Sequence, residues 1–468
     1  MKVRRGLDAA VLAALAIAVP ARARADGAFP AVEAVMVPAD QPREIILATN
    51  FGLVITEDGG QTWNWSCERD DNAFGILYQL GPAPRRRLFA IANDHVVYSD
   101  DASCSWQIAG GLLADQAATD VFPDPTNAAR VLAVGVSNGV YSLFESADGG
   151  TTFDRMPYQA TGGDVINGAE SARSDPRIVY VALMSPERVP KLARTSDAGA
   201  HWSVNDLSVD LGVGLFRIIA VDPDDANTAL LRWASVSGGE AIALTRDGGA
   251  TATKPLAIPN DFTSFARMPD GTLIVSGMAF LGQGLGVTPA LWASHDGGAS
   301  FQENRDVPGV RAIAQRDGIL YAATDNFVDG YALGASSDGG ATWQPVVRFD
   351  QITSIMACLR TNAQCQASCE SLAGKGLGSP GMIWNEAVCT GAPITGGGGS
   401  AGAGAAGTTG GVGTGGAAGG GRGSSGGGCA VAARRADADF GAVAVVVALV
   451  LCARPRHRRR KKRRVLYP

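Results

Sequence analysis

TEDGGQTW, at Thr56–Trp63, recurs along this chain with small changes. Six further octapeptides share its Ser or Thr, its Asp two residues later, small residues in the turn and usually an aromatic residue at the end. Successive aspartates are 42 to 50 residues apart, a period typical of propellers and other repeat folds. We call the seven segments Asp turns, after Asp58, Asp101, Asp148, Asp197, Asp247, Asp296 and Asp338.

The residue types of an Asp turn suit a sharp reversal between two strands. The carboxylate accepts hydrogen bonds from amides just downstream, and Gly permits the positive φ that such a turn requires. The aromatic residue then begins the next strand and buries a large apolar surface. Two copies depart from the pattern, because Ser103 replaces a Gly and Ala252 replaces the aromatic residue.

Four short strands are predicted in each repeat. In the third repeat Arg130–Val136 is apolar and β-branched, Ser137–Gly139 is a turn, and Val140–Ser146 alternates up to the Asp turn. Asp-Pro pairs such as Asp124-Pro125 mark turns that enter the next strand. We therefore predict an all-β fold, a seven-bladed β-propeller of four-stranded blades over residues 29–350.

The pattern S/T-x-D-x-G-x-x-W/F resembles the Asp-box (BNR) repeat of sialidase-type β-propellers. The resemblance covers residues 29–350 and implies that the Asp turns mark the fold and lie away from any active centre. A sialidase would also carry an F/Y-R-I-P motif before the first repeat, where this chain has only Arg43. The nearest match, Phe216–Ile219, lacks the proline and follows the fourth Asp turn, so the motif argues against a sialidase.

Residues 1–25 have the features of a secretory signal. Basic residues precede the largely apolar Leu7–Val19, and Ala23–Ala25 is a small-residue cleavage site. Residues 391–428 are dominated by Gly, Ala, Ser and Thr, which predicts a flexible, disordered linker without a core.

Residues 429–468 combine Cys429, the apolar run Phe440–Ala453 and an Arg/Lys-rich end. The combination resembles the MYXO-CTERM sorting tail of myxobacterial surface proteins, which implies that Cys429 is the processing and anchoring point. The run has 14 residues, fewer than the roughly 20 that a full membrane span needs. We expect the chain to be exported and to meet the membrane through this tail, with its basic end in the cytoplasm.

Six cysteines precede the linker. Cys67 and Cys104 lie in adjacent predicted blades, and the alternatives for them are a disulfide between the blades or two buried thiols. The other four cluster within residues 351–390, where an exported protein favours two local disulfides. A zinc site is the rival, but C-x6-C-x3-C without a nearby His is a poor ligand spacing. This group is Cys358, Cys365, Cys369 and Cys389.

Charge separates the body of the protein from its ends. Without residues 1–25 and 429–468, 24 basic and 42 acidic residues remain, a formal charge of −18. Such a surface repels nucleic acid and suits a solvated extracellular domain. We predict no nucleic-acid partner, since the basic tail follows an apolar run and lacks interleaved aromatic residues.

No catalytic residue, metal site or cofactor is predicted. The four histidines are far apart in sequence. Ser137 lies in GVSNG, which matches the hydrolase elbow pattern G-x-S-x-G, but the elbow needs a following helix and Asn-Gly favours a hairpin.

A ligand would bind, by propeller geometry, to the connections between the second and third strands of the later blades. Four such connections are longer and contain exposed-type aromatic residues: Met184–Pro190, Trp233–Glu240, Met278–Pro289 and Thr324–Gly330. The alternative is that the aromatic residues plug the ring. The candidate contact residues are Arg188, Trp233, Phe280, Asn326 and Phe327.

These features favour an exported, cell-surface-anchored, non-enzymatic binding module with a glycan or protein ligand. One alternative is a carboxylate-dependent glycoside hydrolase on the propeller face, since acidic residues abound. Another is a folding or assembly factor, similar to the plant photosystem assembly propeller.

Overall fold

A computed structural model of the chain describes residues 30–67, 76–280, 287–372 and 387–390. They form seven four-stranded antiparallel sheets in chain order, which is the predicted seven-bladed β-propeller. Neighbouring blades meet largely through their first strands, which surround the centre of the ring. The predicted signal, the linker, the tail and Cys429 lie outside the described residues. In the described ranges no helix is both long enough and apolar enough for a membrane span.

Strands are numbered 1 to 4 within each blade, from the centre outward. Blade 1 consists of Val32–Met36, Ile45–Thr49, Gly52–Thr56 and Asn64–Ser66. Blade 2 consists of Ile76–Leu80, Leu88–Ala92, His95–Ser99 and Gln107–Ile108. Blade 3 consists of Ala117–Pro123, Val131–Ser137, Val140–Ser146 and Arg155–Gln159. Blade 4 consists of Val165–Ser171, Val179–Met184, Pro190–Thr195 and Ser203–Asp206.

The later blades follow the same order. Blade 5 consists of Gly214–Val221, Ala229–Ser235, Glu240–Thr245 and Thr253–Ile258. Blade 6 consists of Phe262–Arg267, Leu273–Phe280, Val287–Ser294 and Gln302–Asn304. Blade 7 consists of Ala312–Arg316, Ile319–Ala323, Leu333–Ser336 and Gln344–Val347. Outside the blades lie the paired strands Gly110–Gly111 and Thr152–Phe153, the strand Ser354–Ile355 and the helices Ser208–Leu211, Ala363–Leu372 and Ala387–Thr390.

Each Asp turn joins strands 3 and 4 through side-chain hydrogen bonds. In the first, the Thr56 hydroxyl donates to Asp58 Oδ1 at 2.9 Å and accepts from the Gly60 amide at 2.9 Å. The Thr62 amide donates to Asp58 Oδ1, and the Thr62 hydroxyl donates to Oδ2 at 2.6 Å. The Thr62 hydroxyl, with its amide, lowers the pKa of Asp58 to about 2. The carboxylate therefore fixes both ends of the reversal.

The two irregular Asp turns keep this geometry by local means. Ser103 adopts a φ of 74°, and its hydroxyl donates to Ser66 of blade 1 at 2.7 Å. Ala252 leaves room for the helix Ser208–Leu211, whose buried Leu211 packs in the same apolar cluster. The Ala252 amide also donates to Asp210 in that helix at 2.8 Å.

Strand 1 of several blades carries a β-bulge within its pairing with strand 2. The pairing register with strand 2 shifts by one residue, so that one side chain is added to the inner strand. The shift therefore changes which side chains of strand 1 face a given neighbour. The extra residues are Glu33, Thr119, Asn167, Ile219 and Thr263.

The segment after blade 7 returns to blade 1 and completes the ring. Ser354–Ile355 adds a parallel fifth strand outside Asn64–Ser66, and the Thr353 amide donates to the Trp63 carbonyl at 2.8 Å. Apolar residues of this segment share one buried cluster with blades 1 and 7. We call residues 349–372 with 387–390 the clasp.

Three disulfides involve the six predicted cysteines. Two of them join the clasp to the ring, Cys67–Cys365 at the end of blade 1 and Cys104–Cys358 at the Asp turn of blade 2. The third, Cys369–Cys389, lies within the clasp. The expectation of local disulfides is therefore confirmed for Cys369–Cys389 and wrong for Cys358 and Cys365, and a Cys67–Cys104 bridge is wrong as well. The reason is that the clasp crosses the outer edges of the first two blades.

Arg316 adds a polar contact at the same closure. Arg316 is 6% exposed, and its guanidinium donates through Nη1 to the carbonyls of Gln41 at 2.9 Å and Glu44 at 2.7 Å. These carbonyls belong to the turn between strands 1 and 2 of blade 1, so Arg316 links the last blade to the first.

Removing the two ring-to-clasp disulfides should lower the thermal unfolding midpoint more than removing the local one. They span 298 and 254 residues, against 20 for Cys369–Cys389. Each long-range disulfide should contribute about 2–5 kcal/mol, with more from the longer loop. Calorimetry should compare two variants. One replaces Cys67, Cys104, Cys358 and Cys365 with Ala, and the control is Cys369→Ala/Cys389→Ala. An equal or larger fall in the unfolding midpoint of the control variant would contradict the closure of the ring by the clasp.

Candidate functional site

The ring presents two chemically different faces. The turn face carries the connections between strands 1 and 2 together with the Asp turns. The loop face carries the connections between strands 2 and 3 and those that lead from one blade to the next. The five predicted contact residues belong to connections or strand ends of the loop face.

Arg188 lies in a tight turn of blade 4 and is exposed. It has a φ of 63°, and its carbonyl accepts from the Gly214 amide of blade 5 at 2.9 Å. The backbone of Arg188 thus joins two blades, while its side chain is on the surface.

Trp233 lies in strand 2 rather than in a loop, since the hairpin of blade 5 continues past it and pairs it with Ala241. Its indole nitrogen donates to the Gly212 carbonyl at 3.2 Å. The Lys254 ammonium lies 4.4 Å from the centre of its ring. Trp233 therefore supports the connection between blades 4 and 5.

Phe280 ends strand 2 of blade 6 and pairs with Val287. The connection between strands 2 and 3 is therefore shorter than the predicted Met278–Pro289. Residues 281–286 lie outside the described ranges. The predicted contact role of the Phe280 side chain therefore stays a prediction.

Asn326 and Phe327 are neighbours at the junction of blade 7 and the clasp. Asn326 is 9% exposed, and its Oδ1 accepts from the Phe349 amide at 3.0 Å. The Phe327 and Phe349 ring centres are 6.4 Å apart, and Phe349 also packs edge-on against Phe51 of blade 1. Asn326 is thus structural, whereas Phe327 remains partly exposed.

Several aliphatic side chains in the connection between blades 4 and 5, and at the strand ends beside it, are exposed. Val209 is 93% exposed. The register pairs Gly214 with Ser235 and Leu215 with Ala234, which brings this connection beside Val236. We call the four exposed residues the aliphatic patch: Val209, Val213, Leu215 and Val236. Sequence reasoning missed it, because a lone valine in a polar connection gives no periodic signal.

A cavity of about 1060 Å³ opens on the turn face. Side chains from blades 4 to 7 form most of its wall. Arg267 lies there between two carboxylates, 3.5 Å from Asp222 and 3.1 Å from Asp224. His295 shares a 3.0 Å hydrogen bond with the Thr272 hydroxyl.

Glu170 lines this cavity from strand 1 of blade 4. Its Oε1 accepts from the Val221 amide of blade 5 at 3.0 Å. Burial raises the pKa of Glu170 to about 8, against the effect of this hydrogen bond, and the Asp120 carboxylate of blade 3 raises it further. The carboxyl is therefore mainly neutral at pH 7, and its partly exposed side chain borders the cavity.

Gln315 lines the cavity from strand 1 of blade 7. Its side chain is 6% exposed, and within the described ranges its Oε1 has no hydrogen-bond partner. Neither Glu170 nor Gln315 was identified from the sequence, where each is one polar residue in a strand.

Two other side chains that could take part in catalysis, His201 and Ser137, lie in turns of the blades. His201 Nδ1 lies 2.6 Å from Asp197 Oδ2 in the fourth Asp turn. Ser137 pairs with Val140 across a hairpin turn, as expected. Among the described residues no group of three or more His, Cys, Asp or Glu side chains is arranged to bind a metal ion.

Comparisons with known proteins identify propellers of several kinds. No family model and no curated protein matches the chain. A GH74 enzyme from Niastella koreensis is 14% identical, with 67% of this chain and 65% of that chain covered and a TM-score of 0.41. YCF48 from Cyanidioschyzon merolae is 12% identical, with coverages of 63% and 93% and a TM-score of 0.43. PorZ from Porphyromonas gingivalis is 11% identical, with coverages of 68% and 38% and a TM-score of 0.43.

The chain spans 39% of the length of another similar structure, an ancestral GH74 enzyme. Identities this low concern the fold alone. They do not transfer an activity, a substrate or a partner to this chain.

Glu170→Gln should change the pH dependence of stability. The folded state raises the pKa of Glu170 to about 8. In the wild type this group therefore contributes fully to the free energy of unfolding below its unfolded pKa of about 4.3, and the contribution is lost as pH rises through 8. Gln stays neutral, so the variant should gain in unfolding midpoint over wild type between about pH 5 and pH 9. Calorimetry at about pH 5 and pH 9 measures the difference in unfolding midpoint between the variant and the wild type. A difference that is the same at both pH values would contradict the raised pKa of Glu170.

Proposed function

We propose that this protein is an exported binding module, anchored at the cell surface, whose loop face binds another protein. The aliphatic patch is the observation that carries the proposal. Several exposed aliphatic side chains in one connection and its neighbouring strand ends favour an interaction site over isolated surface residues. Aliphatic side chains supply contact area without hydrogen bonds, which favours a protein surface over a glycan.

Its three disulfides support export, because disulfides persist in oxidising compartments. The signal-like residues 1–25 and the tail with Cys429 agree with this location. We place the clasp and the ring outside the membrane, with anchoring through residues 429–468. The Asp turns match the Asp-box pattern, and we infer membership of that repeat family from them.

A carboxylate-dependent glycoside hydrolase is the second candidate. Glu170 favours it, since a raised pKa suits a general acid. A glycosidase also needs a second carboxyl group facing the same bond. Asp120, the charged group that acts on Glu170, does not belong to the cavity wall, and Arg267 engages Asp222 and Asp224. No described contact pairs Glu170 with a second carboxyl group on the cavity wall, so the binding module is the better-supported function.

Photo-crosslinking on intact cells tests the binding face. A photoreactive amino acid at Val209 or Val236 should form adducts with a surface protein, whereas one at Glu57, exposed on the turn face, should not. In a Val209→Asp background the yield from position 236 should fall at least ~tenfold, because burying an unpaired charge costs more than ~1.4 kcal/mol. Protease added to intact cells should remove the adducts.

Adducts that form only from Glu57, or that are insensitive to Val209→Asp, would refute the proposed face. Adducts that resist external protease would refute the surface location. Glycan hydrolysis by the full chain that is lost in Glu170→Gln would establish the hydrolase instead.

A further inference from the structure

The three disulfides differ in how far solvent reaches their cysteines. Cys358 is exposed, and its partner Cys104 is partly exposed. The cysteines of the other two disulfides are at most 5% exposed, and they are Cys67, Cys365, Cys369 and Cys389. Thiol–disulfide exchange requires that a thiolate reach a sulfur atom. Among the described disulfides, Cys104–Cys358 is therefore the one that a reagent in solution reaches most readily.

Cys358 lies at a surface corner of the clasp. It is the middle residue of the short 3₁₀ helix Ala357–Leu359, and Ala357 beside it is also exposed. Leu359 is 3% exposed and packs in the buried cluster that the clasp shares with blades 1 and 7. One side of this turn is therefore fixed to the core, while Cys358 is on the side that is open to solvent.

The ring keeps other ties near this corner when Cys104–Cys358 opens. Cys67–Cys365 still joins the clasp to blade 1, and the fifth strand stays paired with the same blade. On the side of blade 2, the Ser103 hydroxyl donates to the buried Ser66 hydroxyl of blade 1 at 2.7 Å. Opening this disulfide therefore releases the clasp from blade 2 and leaves the ring closed.

Apolar side chains on both sides of the disulfide would be less firmly held after it opens. Met356 precedes Cys358 by two residues, and Trp106 follows Cys104 by two. Both pack against the buried cluster that blades 1 and 2 share, and the Trp106 ring centre is 6.1 Å from that of Tyr78. The disulfide thus holds together the clasp and the outer part of blade 2.

We propose that Cys104–Cys358 is a thiol-exchange site, which a dithiol reductant opens while the two buried disulfides stay intact. A thiolate of the reductant attacks Cys358 Sγ, and the bond between the two protein sulfur atoms breaks. The electron pair of that bond passes to Cys104 Sγ, which takes up a proton. The second thiol of the reductant then displaces Cys358, so that both cysteines become thiols and the reductant becomes a cyclic disulfide.

The site makes the attachment of blade 2 depend on the redox conditions around the protein. Exposed disulfides are typically the labile or regulatory ones, whereas structural disulfides resist reduction. In oxidising surroundings the clasp is bound covalently to both blades, and after reduction it is bound covalently to blade 1 alone. This inference does not depend on the function proposed for the aliphatic patch.

Limited reduction of the full chain tests the site. Free thiols are first blocked with N-ethylmaleimide, and dithiothreitol is added without denaturant at about pH 8, where thiols are partly ionised. New thiols are trapped at intervals with iodoacetamide and located by mass spectrometry. We expect Cys104 and Cys358 to be labelled together, at least ~tenfold faster than the other described cysteines, since access to the sulfur atoms limits the exchange.

Two controls separate burial from the intrinsic reactivity of the disulfides. In guanidinium chloride, where burial is lost, the three disulfides should react at similar rates. The variant Cys104→Ala/Cys358→Ala should show no early labelling, whereas the matched variant Cys369→Ala/Cys389→Ala should keep it. Equal rates in the native protein, earlier opening of a buried disulfide, or the same preference in guanidinium chloride would overturn the proposal.

Discussion

The closed ring depends on the joint between its two ends, which no blade supplies by itself. Every blade is made of four strands that follow one another in sequence, so no strand is exchanged between the first blade and the last. The clasp takes over this role with a fifth strand on blade 1 and two disulfides to the first two blades. Arg316 connects the last blade to the first on the turn face. Any cavity or surface shared by several blades relies on this closure.

The seven Asp turns serve the blades individually. Each joins strands 3 and 4 through a carboxylate bound to nearby hydroxyl and amide groups, within eight residues. That local character explains why the repeat tolerates Ser103 and Ala252, whose missing features are replaced by a neighbouring blade and by a short helix. It also leaves the loop face free to vary, and there the connection between blades 4 and 5 carries the aliphatic patch.

Local chemistry made the fold predictable from sequence. Turn residues, alternating strands and a constant period all lie within one repeat, so the seven blades and the Ser137 hairpin could be predicted. Disulfide pairing could not, since Cys67 and Cys365 are 298 residues apart and meet only when the ring closes. Trp233 was assigned to a loop because an exposed-type aromatic near Ser and Gly resembles one, although the hairpin extends beyond it.

The turn-face cavity could not be predicted from the sequence for a related reason. Glu170 and Gln315 come from blades 4 and 7, and their environment depends on burial between blades. Bulges such as the one at Asn167 shift the alternation of the inner strands, so a simple period of two does not tell which polar residue borders the centre. The sequence therefore indicated the loop face as a candidate for binding and did not indicate the opposite cavity.

The pairing of the cysteines tests the ring closure most directly. Proteolysis of the alkylated, non-reduced protein followed by mass spectrometry should yield linked peptides for Cys67–Cys365, Cys104–Cys358 and Cys369–Cys389. Peptides that link Cys358, Cys365, Cys369 and Cys389 only among themselves would contradict the clasp, and with it the account of how the seven blades are closed into a ring.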